Sequence, residues 1–124
     1  MRRLVEAGID TGLALAPVLP GLTDDEAGLD RLLERVAAAG VRRMFANVLF
    51  LRSPTREKFL AWLAAEFPRY LEAYQRAYAT QAYLEGPYRE AIDTTVRRLK
   101  RKHGFAEGSG RVDKWRRPEQ TTLF

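Results

Sequence analysis

Apolar and polar positions along the chain fall into blocks, and the changes of period between blocks mark the elements. Residues 2–7, RRLVEA, read as the last turns of a helix that Gly8 ends. GLALAPV, Gly12 to Val18, is a short apolar, half-alternating run and predicts a strand. Pro17 and Pro20 lack a backbone donor and are expected to end its pairing, with Gly21 supplying the turn. The period then lengthens. Leu29, Leu32, Leu33 and Val36 fall on one helical face, Thr23 and Glu26 form a capping box ahead of it, and Gly40 closes it. Asp24, Asp25 and Glu26 suit the positive end of that helix's dipole.

A second run, MFANVLFL near Met44 to Leu51, is almost wholly apolar and predicts a strand covered on both faces. Ser53-Pro54 announces a helix to about Phe67, with Phe59, Leu60, Trp62 and Leu63 on its buried side. Pro68 opens another helix, on which Tyr70, Leu71, Tyr74 and Tyr78 share one face, a pattern of packing rather than of base stacking. Gly86-Pro87 turns the chain into a last helix from about Tyr88 to Lys102, with Ile92, Val96 and Leu99 inward and His103-Gly104 at its end. From Phe105 onward the chain is charged and aperiodic, as in a flexible tail.

Strands that alternate with helices predict parallel βαβ units with right-handed crossovers, an α/β fold. Two strands do not make a sheet that buries both faces, and the helix at residues 2–7 has no visible cap. The remaining strands are therefore expected to precede Met1.

Composition narrows the chemistry. The 124 residues are 46% hydrophobic, enough for one modest core. No run reaches the roughly 18 apolar residues of a membrane span, and no secretion signal opens the chain, so a cytoplasmic location is expected. The chain contains no cysteine, which removes disulfides and thiolate-held metals from its own repertoire, and its single histidine, His103, builds no histidine metal site alone.

AGIDTGLALAPVLPGLTDDE, followed by a helix, AAAGVRR and an apolar strand, resembles the C-terminal half of radical S-adenosylmethionine enzymes related to spore photoproduct lyase, the DNA repair photolyase-like group. The resemblance covers residues 2–68 well and 69–103 loosely. It implies the C-terminal portion of a partial (β/α)6 TIM-like barrel with two parallel strands (1–68), a helical extension (69–104) and a disordered basic tail (105–124). Loops at the C-terminal ends of parallel barrel strands face the active site. Pro17, Val18 and Pro20 would there form a stiff apolar wall beside S-adenosylmethionine or the substrate; read from the residues alone, they are a strand ending in a rigid turn. Asn47 and Arg52 are the polar groups of the second apolar stretch. Arg52 suits a carboxylate or phosphate, or is an exposed strand-end cation. The family holds a [4Fe–4S] cluster through three cysteines of a CxxxCxxC loop, and this chain has none. As given it cannot cleave S-adenosylmethionine, and its expected partner is the missing N-terminal half of the barrel.

Charge adds a rival reading. Residues 1–95 are nearly neutral, whereas residues 96–124 carry 9 Lys/Arg against 3 Asp/Glu. Arg97, Arg98, Lys100, Arg101 and Lys102 cluster at the end of the last helix, beyond what its dipole needs, and mark a candidate DNA-binding surface together with Arg111, Lys114, Arg116 and Arg117. The C-terminal QTTLF resembles the short peptides by which bacterial DNA-maintenance proteins dock on the sliding clamp, with Leu123 and Phe124 entering an apolar pocket beside Gln120. A non-catalytic nucleic-acid or clamp-binding module is thus the alternative. A different (β/α) barrel enzyme using Asp24, Asp25 or Arg52 ranks last, because the acids are better explained by the helix start.

Overall fold

The computed structural model describes residues 1–106. Among them the order is α1 (Arg2–Glu6), β1 (Gly12–Val18), α2 (Glu26–Ala38), β2 (Arg43–Val48), α3 (Thr55–Glu66), α4 (Pro68–Ala77) and α5 (Pro87–Lys102). The described residues are mixed α/β, with five helices and one two-stranded parallel sheet. None of the described helices is long and apolar enough to cross a membrane.

The strands pair in register from Gly12↔Arg43 to Leu15↔Ala46, then slip, so that Val18 faces Val48. Pro17 sits inside this irregularity, after a cis peptide bond. The expectation that Pro17 ends the pairing is therefore corrected. A bulge removes it from the ladder, where its missing N–H would leave a gap, and pairing resumes as Leu49 N–H donates to the Val18 carbonyl at 3.0 Å.

Among the described residues only one face of the sheet is covered. Met44 and Val48 are buried, Leu13, Leu15 and Ala46 are half-buried, and all pack with Leu29, Leu33 and Val36 of α2 and Ile92, Val96 and Leu99 of α5. On the other face Gly12, Ala14 and Ala16 are exposed, Phe45 is 39% exposed and Asn47 is half-buried. A strand covered on both faces is thus not what β2 is. Its pairing with β1 also stops at Val48, short of Leu51. Leu49 and Leu51 continue into a second apolar cluster with Leu63 of α3 and Tyr74 and Tyr78. There Leu51 N–H donates to the Ala82 carbonyl at 2.9 Å, and Phe50 bridges Tyr83 in antiparallel fashion.

Three further details differ from the sequence pattern. Asp25, not Thr23, caps α2, its carboxylate accepting from Gly28 N–H at 2.7 Å. Leu32 and Trp62 lie outside the packed faces, at 39% and 42% exposure. Phe105 is no part of a tail: it is 4% exposed within the sheet-side core, and Ala106 N–H donates to the Arg42 carbonyl at 2.7 Å. Gly40 ends α2 as expected, at φ 86°, and a Cβ there would stand 2.9 Å from Val5, so α1 packs where only glycine fits.

Candidate functional site

The loop from Leu19 to Asp25 joins the C-terminal end of β1 to α2, and its conformation is determined by short-range bonds first. Leu22 N–H and Thr23 N–H both donate to the Leu19 carbonyl, at 3.1 and 3.0 Å. Thr23 Oγ1 accepts from Leu19 N–H at 2.8 Å, which is why it does not cap the helix. Asp24 Oδ2 accepts from Gly21 N–H at 2.9 Å, reaching back three residues to tie down a glycine at φ 72°. A side chain at Gly21 would meet the Tyr70 ring at 3.0 Å. The acids of TDDE thus build the loop and start the helix.

Two distant tyrosines then seal it. Tyr74 donates its hydroxyl to the Pro20 carbonyl at 2.7 Å, and Tyr88 donates to the same Asp24 Oδ2 at 2.7 Å. Tyr78 acts likewise on the other strand's exit, donating to the Leu49 carbonyl at 2.8 Å. Tyr74 and Tyr78 are buried and stack on each other with centroids 5.9 Å apart. Burial pushes the Tyr78 phenol up to about 12. Burial raises Tyr74 further, reinforced by the neighbouring Tyr78, Asp24 and Tyr70; burial and then the bond to Asp24 raise Tyr88. All three are held as neutral donors.

The residues anticipated as a wall are split by this geometry. Pro17 is exposed and Pro20 half-buried at the loop. Val18 is 1% exposed inside the sheet-side core, so it does not line the wall: the bulge at Pro17 turns its side chain towards α2 and α5. Asn47 lies on the sheet's open face. Arg52 is exposed on the segment before α3 and contributes its carbonyl to Arg56 N–H at 3.0 Å. Ser53 donates to the Glu57 carboxylate at 2.5 Å, and that bond holds the Glu57 carboxyl below its ordinary range.

The basic end of α5 is partly engaged within the molecule. Arg98 pairs with Glu26 at 2.6 Å, and Lys102 and His103 both reach Asp30, at 2.5 and 2.6 Å. The bonds from Lys102 and His103 lower the Asp30 carboxyl. Arg97 is exposed; Lys100 and Arg101 have contacts of their own. Gln120, Leu123 and Phe124, like Arg111, Lys114, Arg116 and Arg117, lie outside the described residues. Among the described residues no group of His, Cys, Asp or Glu is arranged to hold a metal ion.

Tyr74 and Tyr88 are the site-building residues that sequence reading missed. The tyrosine face of α4 was legible as packing, but nothing local marks a hydroxyl whose acceptor lies 54 or 64 residues away.

No family model matches the chain, and no solved structure matches it. The chain is similar to uncharacterized proteins of Mycobacterium tuberculosis (strains H37Rv and CDC 1551) and of Mycobacterium bovis. Each is 40% identical over 100 residues, which is 81% of this chain and 29% of the relative. The chain thus spans less than a third of the length of the curated relatives it matches.

Proposed function

We propose that the chain is the C-terminal part of the barrel of a radical S-adenosylmethionine enzyme of the spore photoproduct lyase, DNA repair photolyase-like group. The observation that carries this reading is the one-sided sheet. Among the described residues its outer face bears Gly12, Ala14, Ala16, Phe45 and Asn47, with Arg43 at the entry end paired to Asp10, without a covering layer, and neither outer edge has a strand partner. A parallel sheet is ordinarily covered on both faces, and inside a barrel the uncovered face is the interior. The clamped loop after β1 then stands at the catalytic end, with Pro17 and Pro20 beside the ligand space, Asn47 within it and Arg52 available to a carboxylate or phosphate.

The [4Fe–4S] cluster of that family does not fit this chain, since no cysteine is present to ligate it. Its ligands belong, in this reading, to the remainder of the longer protein, and no chemical step is assigned to residues of this chain. The test is to purify the full-length Mycobacterium tuberculosis relative without oxygen, supply iron and sulfide, and assay 5′-deoxyadenosine formed from S-adenosylmethionine on reduction. A CxxxCxxC loop and product formation are expected. A full-length sequence without that loop sinks the reading.

The binding-module alternative ranks second, because Arg98 and Lys102 are engaged by Glu26 and Asp30, and Lys100 and Arg101 have contacts of their own. It requires salt-dependent DNA binding by this chain that is lost when Arg97, Arg98, Lys100, Arg101 and Lys102 are replaced by glutamine, with Val96, Leu99 and Phe105 of the core kept.

A further inference from the structure

The β1–α2 loop is held from outside by residues that lie far along the chain. Its own turn ties Gly21 N–H to Asp24 Oδ2, and that same oxygen receives the Tyr88 hydroxyl from α5. The Pro20 carbonyl receives the Tyr74 hydroxyl from α4, and the Tyr70 ring stands against Gly21. Three aromatic residues of two helices therefore converge on three residues of one loop, Pro20, Gly21 and Asp24. The strands contribute less to its shape: Val18 is the last residue of β1, and the chain leaves the ladder there. α5 is itself fastened to α2 at its far end through Arg98–Glu26 and Lys102–Asp30, so the clamp has a fixed base.

We propose that Tyr74 and Tyr88 are positioning residues that hold the β1–α2 loop in its site-facing conformation, which makes α4 and α5 part of the site. Its functional meaning rests on the reading that this loop lines a ligand space; the clamp itself does not. The loop's one proline, Pro20, stiffens a single φ angle, as Pro17 does in the bulge before it, and neither fixes how the loop sits relative to the sheet. The hydroxyl bonds supply that placement. Tyrosine suits the task because its ring is anchored among apolar side chains while its polar tip reaches the loop, the Pro20 carbonyl for Tyr74 and the Asp24 carboxylate for Tyr88.

The test is residue-resolved amide exchange by NMR on the full 124-residue chain. Tyr88→Phe keeps the ring and removes only the donor. It is expected to speed exchange at the Gly21 amide roughly five- to tenfold, the loss of one hydrogen bond, while amides of β1 and α2 keep their rates. Tyr74→Phe, an independent variant, should do the same at Leu22 and Thr23. Asp24→Asn keeps an acceptor oxygen and should stay near the parent chain; Asp24→Ala should exceed both phenylalanine variants. An unchanged Gly21 amide in Tyr88→Phe overturns the clamp, as does a uniform acceleration across β1 and α2, which reports global destabilisation only. No ligand enters this readout. A negative 5′-deoxyadenosine assay on the mycobacterial relative therefore leaves the clamp standing, and an unchanged Gly21 amide removes it whatever that assay returns.

Discussion

The two faces of the sheet are made from the same two strands and behave as different materials. On the side of α2 and α5, Leu13, Leu15, Met44 and Val48 carry branched or long side chains, and Ala46 a methyl, into a packed cluster. On the other side β1 offers Gly12, Ala14 and Ala16, and β2 offers Phe45, Asn47 and Arg43, the last paired with Asp10, with no layer over them among the described residues. Met44 and Phe45 are neighbours in the chain, yet one is 5% exposed and the other 39%. The contrast separates residues that make this chain fold from residues that would need company. Small side chains along one strand leave room for an opposing layer or a ligand, and they do not fold the segment that bears them.

The sharpest way to break the comparison is on the covered side. Leu33 is fully buried between α2 and the sheet. Leu33→Ala removes its contacts and leaves a cavity, at a cost of about 2–5 kcal/mol, read as a lower urea midpoint. A cost below about 1 kcal/mol would mean that the cluster is not packed as described.

Next in size is Tyr78, which joins the strand exit to α4. Tyr78→Phe strands the Leu49 carbonyl in the second cluster and should cost about 1–3 kcal/mol. The pH dependence has a definite sign. Burial raises the folded-state phenol to about 12, above the ordinary tyrosine value near 10. The neutral form is therefore favoured by folding: its contribution is intact below pH about 10 and is lost as the pH rises through about 12. Tyr74 and Tyr88, raised in the same direction, add to the alkaline loss. The measurement is the unfolding midpoint from pH 8 to 12 in the parent and in Tyr78→Phe, which should decline less steeply.

Much of this architecture was legible locally. Gly8, Gly40 and Gly86 all adopt positive φ at the helix boundaries their positions announce, and Gly12 to Val18 is a strand over that whole range. What escaped was set by distance or by competition. Thr23 and Asp25 are both good caps, and the tie was broken by Leu19 N–H, which takes the threonine hydroxyl. The run from Met44 to Leu51 contains no breaker, so nothing in it says that β1 leaves at Val18. Of the anticipated wall, the prolines are exposed or half-buried and Val18 is not, because a bulge reverses the alternation that a sequence pattern assumes to continue.

A smaller effect belongs to the ionic seam between α2 and α5. Lys102 and His103 hold the Asp30 carboxyl below the ordinary aspartate range near 4. A lowered folded-state value stabilises the fold above that range, and the contribution is lost as the pH falls through the folded-state value. Both carboxylate oxygens are used and the group is solvated, so the effect is salt-sensitive and well below that of Leu33→Ala. Thermal melts from pH 7 to 3 should show Asp30→Asn less stable at neutral pH and less acid-sensitive than the parent.

The smallest expected effect lies on the open face and decides the comparison. Phe45→Ser should change the unfolding free energy by no more than about 0.5 kcal/mol, because among the described residues the ring packs under no other layer, whereas Met44→Ala next to it should cost several times as much. If Phe45→Ser instead cost 2 kcal/mol or more, the face would be covered in solution. Dependence of that cost on protein concentration would then separate a second copy from a segment of the same chain, since only association between copies weakens on dilution. A near-zero cost leaves the face of Ala14, Ala16 and Phe45 uncovered in this chain, which the proposed barrel reading requires.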